Sequence, residues 1–298
     1  MLTPGVNVKM KTKILGTGLS GLVGSRVVEL LQDKYDFEDL SLDTEVDITD
    51  IDQVDERIGA SDAKVVLHMA AITNVDACEK ERNDGENSLS WRVNVTGTEN
   101  IVKAVKATGK RIIHISTDFV FSGLEDRYTE ESKPNPINWY GETKLRAEMV
   151  VQEKLTDYAI LRLSFPYRAK FERSDVVRFF LNTLKEGKSV DAVSNWMITP
   201  GFIDDMANVI EAFITNNEVG IFHSVGSDSM TPYEMATAIA ELFGFDKTLV
   251  RAVKLEDLFL GKAPRPLKLV TDNGKITRLG LQMQTLEDGL GIIKEQLK

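Results

Sequence analysis

Cysteine is almost absent from this chain of 298 residues. Cys78 is the only one, so no intramolecular disulfide can form, and a reducing, cytoplasmic setting is expected. Histidine is nearly as scarce. His68, His114 and His223 are scattered and give no metal-ligand spacing, so no metal site is expected. Long apolar runs are missing too: the longest, around Val65 to Ile72, contains His68 and falls far short of the roughly 20 residues needed to span a bilayer. Met1 to Lys9 holds no apolar signal-peptide core, and Met10 as well as Met1 could be the natural start. An excess of positive charge is also lacking. Lys and Arg number 36 against 46 Asp and Glu, and the net charge of −10 opposes general nucleic-acid binding, which needs a cationic face. A nucleotide ligand stays open, because backbone N–H groups and a few local cations hold such ligands.

Proline is absent between Pro4 and Pro134, and the six remaining prolines follow that point. A long proline-free stretch suits alternating buried strands and helices, since proline removes a donor from both. The pattern predicts strands over Lys13 to Gly16, Leu40 to Leu42, Lys64 to Leu67, Arg111 to Ser116 and Tyr158 to Leu163. It predicts helices over Leu22 to Gln32 and over Trp91 to Thr108, the latter with Ser90 as N-cap and Gly109 as stop. Such alternation implies an α/β fold, a Rossmann-type doubly wound parallel sheet covered on both faces. The last third is more irregular. Helices are expected over Ser174 to Glu186, over Asp205 to Thr215 and from the Thr231-Pro232-Tyr233-Glu234 capping box to Gly244, with a strand over Val219 to Val225. The division expected is a dinucleotide-binding domain over 1–165 and a smaller α/β C-terminal substrate-binding region over 166–298, some of whose segments return to the first domain.

Between the first strand and first helix lies Gly16-Thr17-Gly18-Leu19-Ser20-Gly21-Leu22-Val23-Gly24. A glycine triplet alone reads equally as a flexible loop. Here strand precedes and helix follows, the context in which glycines let a pyrophosphate approach a helix N-terminus. Gly18, Leu19, Ser20, Gly21, Leu22 and Val23 are therefore candidate cofactor contacts. Asp43, placed at the end of the second strand and 25 residues after Gly18, would accept from ribose hydroxyls and repel a 2′-phosphate. Neither Arg nor Lys occurs from Tyr35 through Asp52, so NADH is favoured over NADPH. Asp47, followed by Ile48, would meet the adenine amino group or cap the next helix.

Tyr140 and Lys144 stand four apart at the start of a helix entered from Pro134 and Pro136, so phenol and ammonium share a face. A free Tyr titrates near 10. An adjacent ammonium stabilises the phenolate and lets Tyr exchange a proton with a carbonyl or alcohol oxygen, while Lys also suits the nicotinamide ribose hydroxyls. With 6 Tyr and 22 Lys in 298 residues, roughly 0.4 such pairs arise by chance, so the pair gains its meaning from position. Thr117 ends the strand upstream, where open parallel sheets place ligands, and its hydroxyl could hold a substrate carbonyl beside Tyr140. His114 reads as a packed core residue, His68 as packed beside the cofactor loop, and the charged stretch from Glu79 and Lys80 through Asp84 as a solvated loop.

The glycine turn, His68-Met69-Ala70-Ala71, Asn94 in Val93-Asn94-Val95, Ser116-Thr117-Asp118 and Tyr140 with Lys144 occur in the order seen in extended short-chain dehydrogenase/reductases. Over nearly its whole length the chain resembles the dTDP-4-dehydrorhamnose reductase group. Supporting stretches are Ala70 to Asp76, Ser116 to Phe121, Tyr140 to Leu145, Leu161 to Ser164, and Arg265-Pro266 followed by Thr271 to Lys275. The resemblance implies hydride delivery from NADH or NADPH to the C4 ketone of a nucleotide-linked 4-keto-6-deoxy sugar, with Tyr140 as proton donor. It implies that Ala70 and Ala71 line the cofactor, that Thr73, Thr117, Phe119 and Phe165 face the sugar, and that Arg265 lies near the nucleotide-sugar. The group usually has Tyr at Phe119 and Trp at Phe165. It often has Thr at Gly201, and Asn where Leu267 and Lys268 stand; each change alters a contact expected near the sugar. Two enzymatic alternatives share the fold. A 4,6-dehydratase would usually carry Glu in place of Phe119, which disfavours it, and a C4 epimerase would retain its cofactor without net consumption. A third reading is a non-catalytic subunit, like the β subunit of methionine adenosyltransferase, acting through a partner. The oligomeric state is open, with a homodimer as one option.

Overall fold

A computed structural model describes residues 11–298 of the chain. The expectations about Met1 to Lys9 and the Met10 start lie outside the described residues. Six parallel strands form the main sheet: β1 (Thr12–Thr17), β2 (Tyr35–Leu40), β3 (Val65–His68), β4 (Arg111–Thr117), β5 (Tyr158–Leu163) and β7 (Gly220–Ser224), in the order β2-β1-β3-β4-β5-β7. The remaining strands, β6 (Val190–Val193) and β8 (Val250–Val253), pair in parallel as a separate small sheet.

Alternation along the central strands explains the layering. Ile14, Ile113 and Leu161 point into one apolar core, and their neighbours Leu15, Ile112 and Ile160 into another. Successive side chains leave a strand on opposite faces, so a sheet buried on both sides reads as a nearly continuous apolar run. On the first face lie helices Gly24–Leu31 and Ile203–Thr215, packed together; on the second lie Ile51–Ala60, Gly97–Thr108 and Trp139–Lys154. A third core joins helices Val176–Lys185, Pro232–Phe243 and Leu286–Gln296 to the small sheet. Chain beyond residue 165 thus supplies both β7 and a helix covering the main sheet.

Two expected boundaries move. The second strand is Tyr35–Leu40, not Leu40 to Leu42, and Asp43 falls three residues beyond it in the turn Leu42–Thr44. Asp36, Glu38 and Asp39 dilute the apolar signal of this edge strand. The helix expected from Trp91 instead begins with Leu89–Trp91, capped by Ser88, whose side chain accepts from the Trp91 N–H. It then passes through a π-helical turn, Arg92–Thr96, before Gly97–Thr108. The Thr231 capping box, Pro232 at the helix start and the left-handed Gly244 are where the sequence puts them.

The strand order reverses direction between β1 and β3, the position at which open parallel sheets accept ligands outside their carboxyl ends.

Candidate active site

A cavity of about 800 Å³ opens at that reversal. Its cofactor half begins at the glycine turn. Gly18 has φ of +68°, and a Cβ there would stand 2.7 Å from the Ala70 nitrogen, so the residue type is fixed both by backbone conformation and by close approach to the β3 exit. A Cβ on Gly24 would stand 2.4 Å from the Gly18 carbonyl oxygen, which explains the small residue at the helix start. Ser20, Gly21, Leu22 and Val23 line the cavity, and the N–H groups of Ser20, Leu22 and Val23 donate to no described backbone or side-chain acceptor. These free donors at a helix N-terminus, with the close glycine cradle, fit a dinucleotide phosphate. Leu19 does not line the cavity: its side chain is buried and covers Gly16.

Asp43, Asp47, Ile48, Ala70 and Ala71 all border the same space. Asp43 is exposed and its carboxylate accepts from no described residue, so it is open to ribose hydroxyls although it stands past the strand. Asp47 does not cap the next helix. Its Oδ1 accepts from the Thr49 N–H and hydroxyl, both at 2.8 Å, and Asp50 is the cap.

The opposite half gathers Thr117, Tyr140, Lys144, Thr73, Phe119 and Phe165. Helix Trp139–Lys154 starts at Asn138, whose side chain accepts from the Gly141 N–H at 2.8 Å. That cap fixes the first turn and hence Tyr140 and Lys144. Lys144 is almost wholly buried; its Nζ donates to the Ile115 carbonyl at 2.8 Å, and burial pushes its pKa down to about 8. Glu148, one turn on, opposes that shift. Glu148 in turn accepts from Arg162 at 2.9 and 2.6 Å and from the Ser116 hydroxyl at 2.5 Å, with every partner buried.

The phenol of Tyr140 is held above its ordinary range, chiefly by burial, with the Thr117 hydroxyl partly offsetting this. Its electrostatics therefore differ from the expectation that the Lys144 ammonium sets the phenol. In this environment Tyr140 is a protonated group at neutral pH, suited to giving a proton. His114 Nε2 lies 3.5 Å from Lys144 Nζ, and burial keeps both His114 and His68 neutral. His68 is held between the hydroxyls of Thr17 at 2.7 Å and Thr98 at 2.9 Å, a packed role as the sequence suggested.

Rings floor the pocket. Phe119 meets Tyr140 edge-on at 5.9 Å and Phe165 at 6.0 Å, and Phe165 meets Trp196 at 5.1 Å. Phe165 holds φ of +38°, a left-handed conformation rare for a bulky residue and concentrated at functional sites.

Other expected neighbours lie elsewhere. Arg265 is not on the cavity wall; it pairs with Asp76 at 2.9 Å and stacks 4.7 Å over Phe259, so its cation is used within the protein. Gly201, Leu267 and Lys268 are also outside the lining, and Met206 occupies the space a Gly201 side chain would need. Glu79 is not in a solvated loop: it lies in the last turn of helix Val75–Lys80, pairs with Arg82 and accepts from the Trp139 N–H at 2.7 Å. Two charged cavity residues had no assigned role. Asp118 is fully buried beside Tyr140, and burial raises its pKa to about 7; its place in Ser116-Thr117-Asp118 was the available signal. Arg173 had no sequence signal, because its loop is irregular.

Residues 12–297 match the family model described as RmlD substrate binding domain. The chain belongs to that family. It is similar to a probable low-salt glycan biosynthesis reductase of Haloferax volcanii, 32% identical over 293 residues that cover 93% of this chain and 96% of the relative. It is also similar to methionine adenosyltransferase 2 subunit beta of Rattus norvegicus, 30% identical over 301 residues covering 94% and 86%. Among solved structures, a dTDP-4-dehydrorhamnose reductase from Bacillus anthracis in complex with NADP superposes with a TM-score of 0.88 at 29% identity, covering 96% of this chain and all of that one. This family membership makes the chain an extended short-chain dehydrogenase/reductase of the NAD(P)-dependent oxidoreductase class. No helix among the described residues is long and apolar enough to cross a membrane.

Proposed function

We propose that this protein reduces the C4 ketone of a nucleotide-linked 4-keto-6-deoxy sugar, with dTDP-4-dehydrorhamnose, giving dTDP-L-rhamnose, as the favoured substrate. The observation that carries this reading is the meeting of Thr117, Tyr140 and Lys144 with the glycine turn on one cavity. The reductase relatives support the sugar-nucleotide class. A bound reduced nicotinamide supplies the hydride. Tyr140 donates its phenolic proton to the ketone oxygen, and the Thr117 hydroxyl holds that oxygen. Lys144, fixed on the Ile115 carbonyl, stands on the same cavity wall, where its ammonium suits the nicotinamide ribose hydroxyls. Phe119 and Phe165 supply an apolar floor for a sugar that carries a methyl group, while Asp43 receives the ribose hydroxyls and favours NADH. The region after residue 165 borders the cavity through Pro166 and Arg173.

A second reading, a non-catalytic subunit, draws on the similarity to methionine adenosyltransferase 2 subunit beta. The test is oxidation of NADH and NADPH across a panel of nucleotide-linked 4-keto-6-deoxy sugars, with Tyr140→Phe in parallel. Turnover on the dTDP-linked sugar, lowered about 10²- to 10⁴-fold in the variant with cofactor binding retained, is expected. Undiminished turnover by Tyr140→Phe refutes the mechanism, and no turnover on any sugar, with a partner protein co-purifying, favours the subunit reading.

A further inference from the structure

The loop that follows β5 returns over the glycine turn and is rich in arginine. Three guanidinium groups in this neighbourhood are committed to the protein. Arg26 donates to both Asp204 oxygens at 2.7 Å and pairs with Glu29. Arg168 donates to the Ser25 hydroxyl and to Glu29, each at 2.9 Å. Arg178, buried, donates to Asp175 at 2.8 Å and to the carbonyls of Phe171 and Arg173. Phe171 lies between the last two, 5.5 Å from Arg168 and 5.9 Å from Arg178.

Arg173 differs from all three. It is exposed and on the cavity wall, and its guanidinium makes no ion pair or hydrogen bond with another described residue. Its backbone is nevertheless fixed, because Arg178 holds its carbonyl and Arg168 fastens the same loop to the glycine-turn helix. Holding the backbone while leaving the side chain unpaired is what a ligand-binding arginine requires, since the ordering cost of the loop is already met. Among the described residues lining the cavity, the acids are Asp43, Asp47 and Asp118, and the only other cation is Lys144, which is turned onto Ile115. A doubly charged pyrophosphate at the turn has the N–H donors of Ser20, Leu22 and Val23, while the nearby Arg26 and Arg168 are already paired with carboxylates and do not line the cavity. The guanidinium fork matches phosphate oxygens in pairs.

We propose that Arg173 clamps the pyrophosphate of the dinucleotide cofactor against the glycine turn. This rests on the reading of the cavity as a cofactor site. Wild type, Arg173→Ala and Arg173→Lys are titrated with NADH and NADPH by fluorescence, and with ADP, AMP and dTDP by calorimetry. The expected result for Arg173→Ala is a roughly tenfold weaker Kd for NADH, NADPH and ADP, with AMP and dTDP unchanged. Arg173→Lys recovers part of the loss, and thermal stability stays at the wild-type value because the side chain has no internal partner. Three outcomes overturn the proposal: unchanged binding of the cofactors and ADP, a loss confined to NADPH, which assigns the arginine to the 2′-phosphate, or a loss confined to dTDP, which assigns it to the substrate's diphosphate. Failure of the wild type to bind either cofactor is a separate result and overturns the cofactor reading itself.

Discussion

Replacement of Glu148 by Gln should disturb stability and catalysis through one carboxylate. Glu148 is fully buried and receives two hydrogen bonds from Arg162, itself 1% exposed, and a third from Ser116. Glutamine keeps the shape and removes the charge, leaving the Arg162 guanidinium buried without a counter-ion. Breaking a buried pair from one side costs about 3–5 kcal/mol. An unfolding entropy of about 2.1 cal/mol/K per residue gives about 0.6 kcal/mol/K for a chain of this length, so the expected fall in Tm is about 5–8 °C. The same carboxylate also raises the pKa of Lys144, which burial has brought down to about 8. Lys144 loses its charge as pH rises through that value, so reduction should decline on the alkaline side near pH 8. In Glu148→Gln the decline should begin at lower pH. Calorimetric melting and a kcat/KM profile from pH 6 to 10 measure both effects. A destabilised variant whose alkaline limb coincides with wild type would show that Glu148 does not tune Lys144, and an unchanged Tm would refute the energetic argument.

Asp43→Ala should shift preference toward NADPH, because the carboxylate that repels a 2′-phosphate is gone; an unaltered ratio of the two Kd values counts against its role. Gly18→Ala places a Cβ 2.7 Å from the Ala70 nitrogen and imposes about 1–2 kcal/mol of left-handed strain. Cofactor binding should weaken about tenfold or more by fluorescence titration, and wild-type affinity would exclude a tight turn–strand contact. Acid should destabilise the fold. Burial holds His68 and His223 down to about 3 and His114 well below its ordinary value, so the unfolded chain takes up protons first and stability falls as pH drops below about 6.5. Asp118, raised to about 7, acts in the opposite direction over part of that range. Urea unfolding at pH 7.5, 6 and 5 should show a net loss on the order of 1–3 kcal/mol per pH unit in the lower interval. Constant stability there refutes the histidine account.

The central sheet was legible because its strands are buried on both faces: Arg111 to Ser116 carries Ile112, Ile113 and Ile115, and Tyr158 to Leu163 carries Ala159, Ile160, Leu161 and Leu163. Helix ends with local chemistry, such as Thr231-Pro232 and Gly244, were equally plain. Strand β2 was displaced because an edge strand has one open side and tolerates Asp36, Glu38 and Asp39. The short strands β6 and β8 were missed; each has four residues, and Val190 meets Val250 only through distant parallel pairing. At the site, Gly18, Thr117 and Tyr140 could be read from order along the chain, since each sits at or beside the end of a regular element, and Lys144 from its four-residue spacing to Tyr140. Leu19 and Arg265 were misplaced because their side-chain directions depend on Gly16 and Asp76, contacts no spacing encodes. Arg173 was invisible because its loop is irregular and carries no motif.

The π-helical turn Arg92–Thr96 delivers Asn94 into a position where its amide is fully used. Its Oδ1 accepts from the Ile72 N–H at 2.7 Å, and its Nδ2 donates to the Ile72 carbonyl at 3.0 Å and to the Thr143 hydroxyl at 2.9 Å. This one side chain rivets the segment carrying Thr73 to the helix carrying Tyr140 and Lys144, so those parts form a single stiff wall. Phe119 meets Tyr140 of that wall through a ring contact, with Phe165 and then Trp196 packed behind it, and ring contacts repack more readily than directed hydrogen bonds. The pocket is therefore built like a vice with one fixed jaw. On the function proposed above, substitutions at Phe119 and Phe165 should change which sugar is accepted while Tyr140 stays in register, whereas a change at Asn94 should loosen the wall that carries Tyr140.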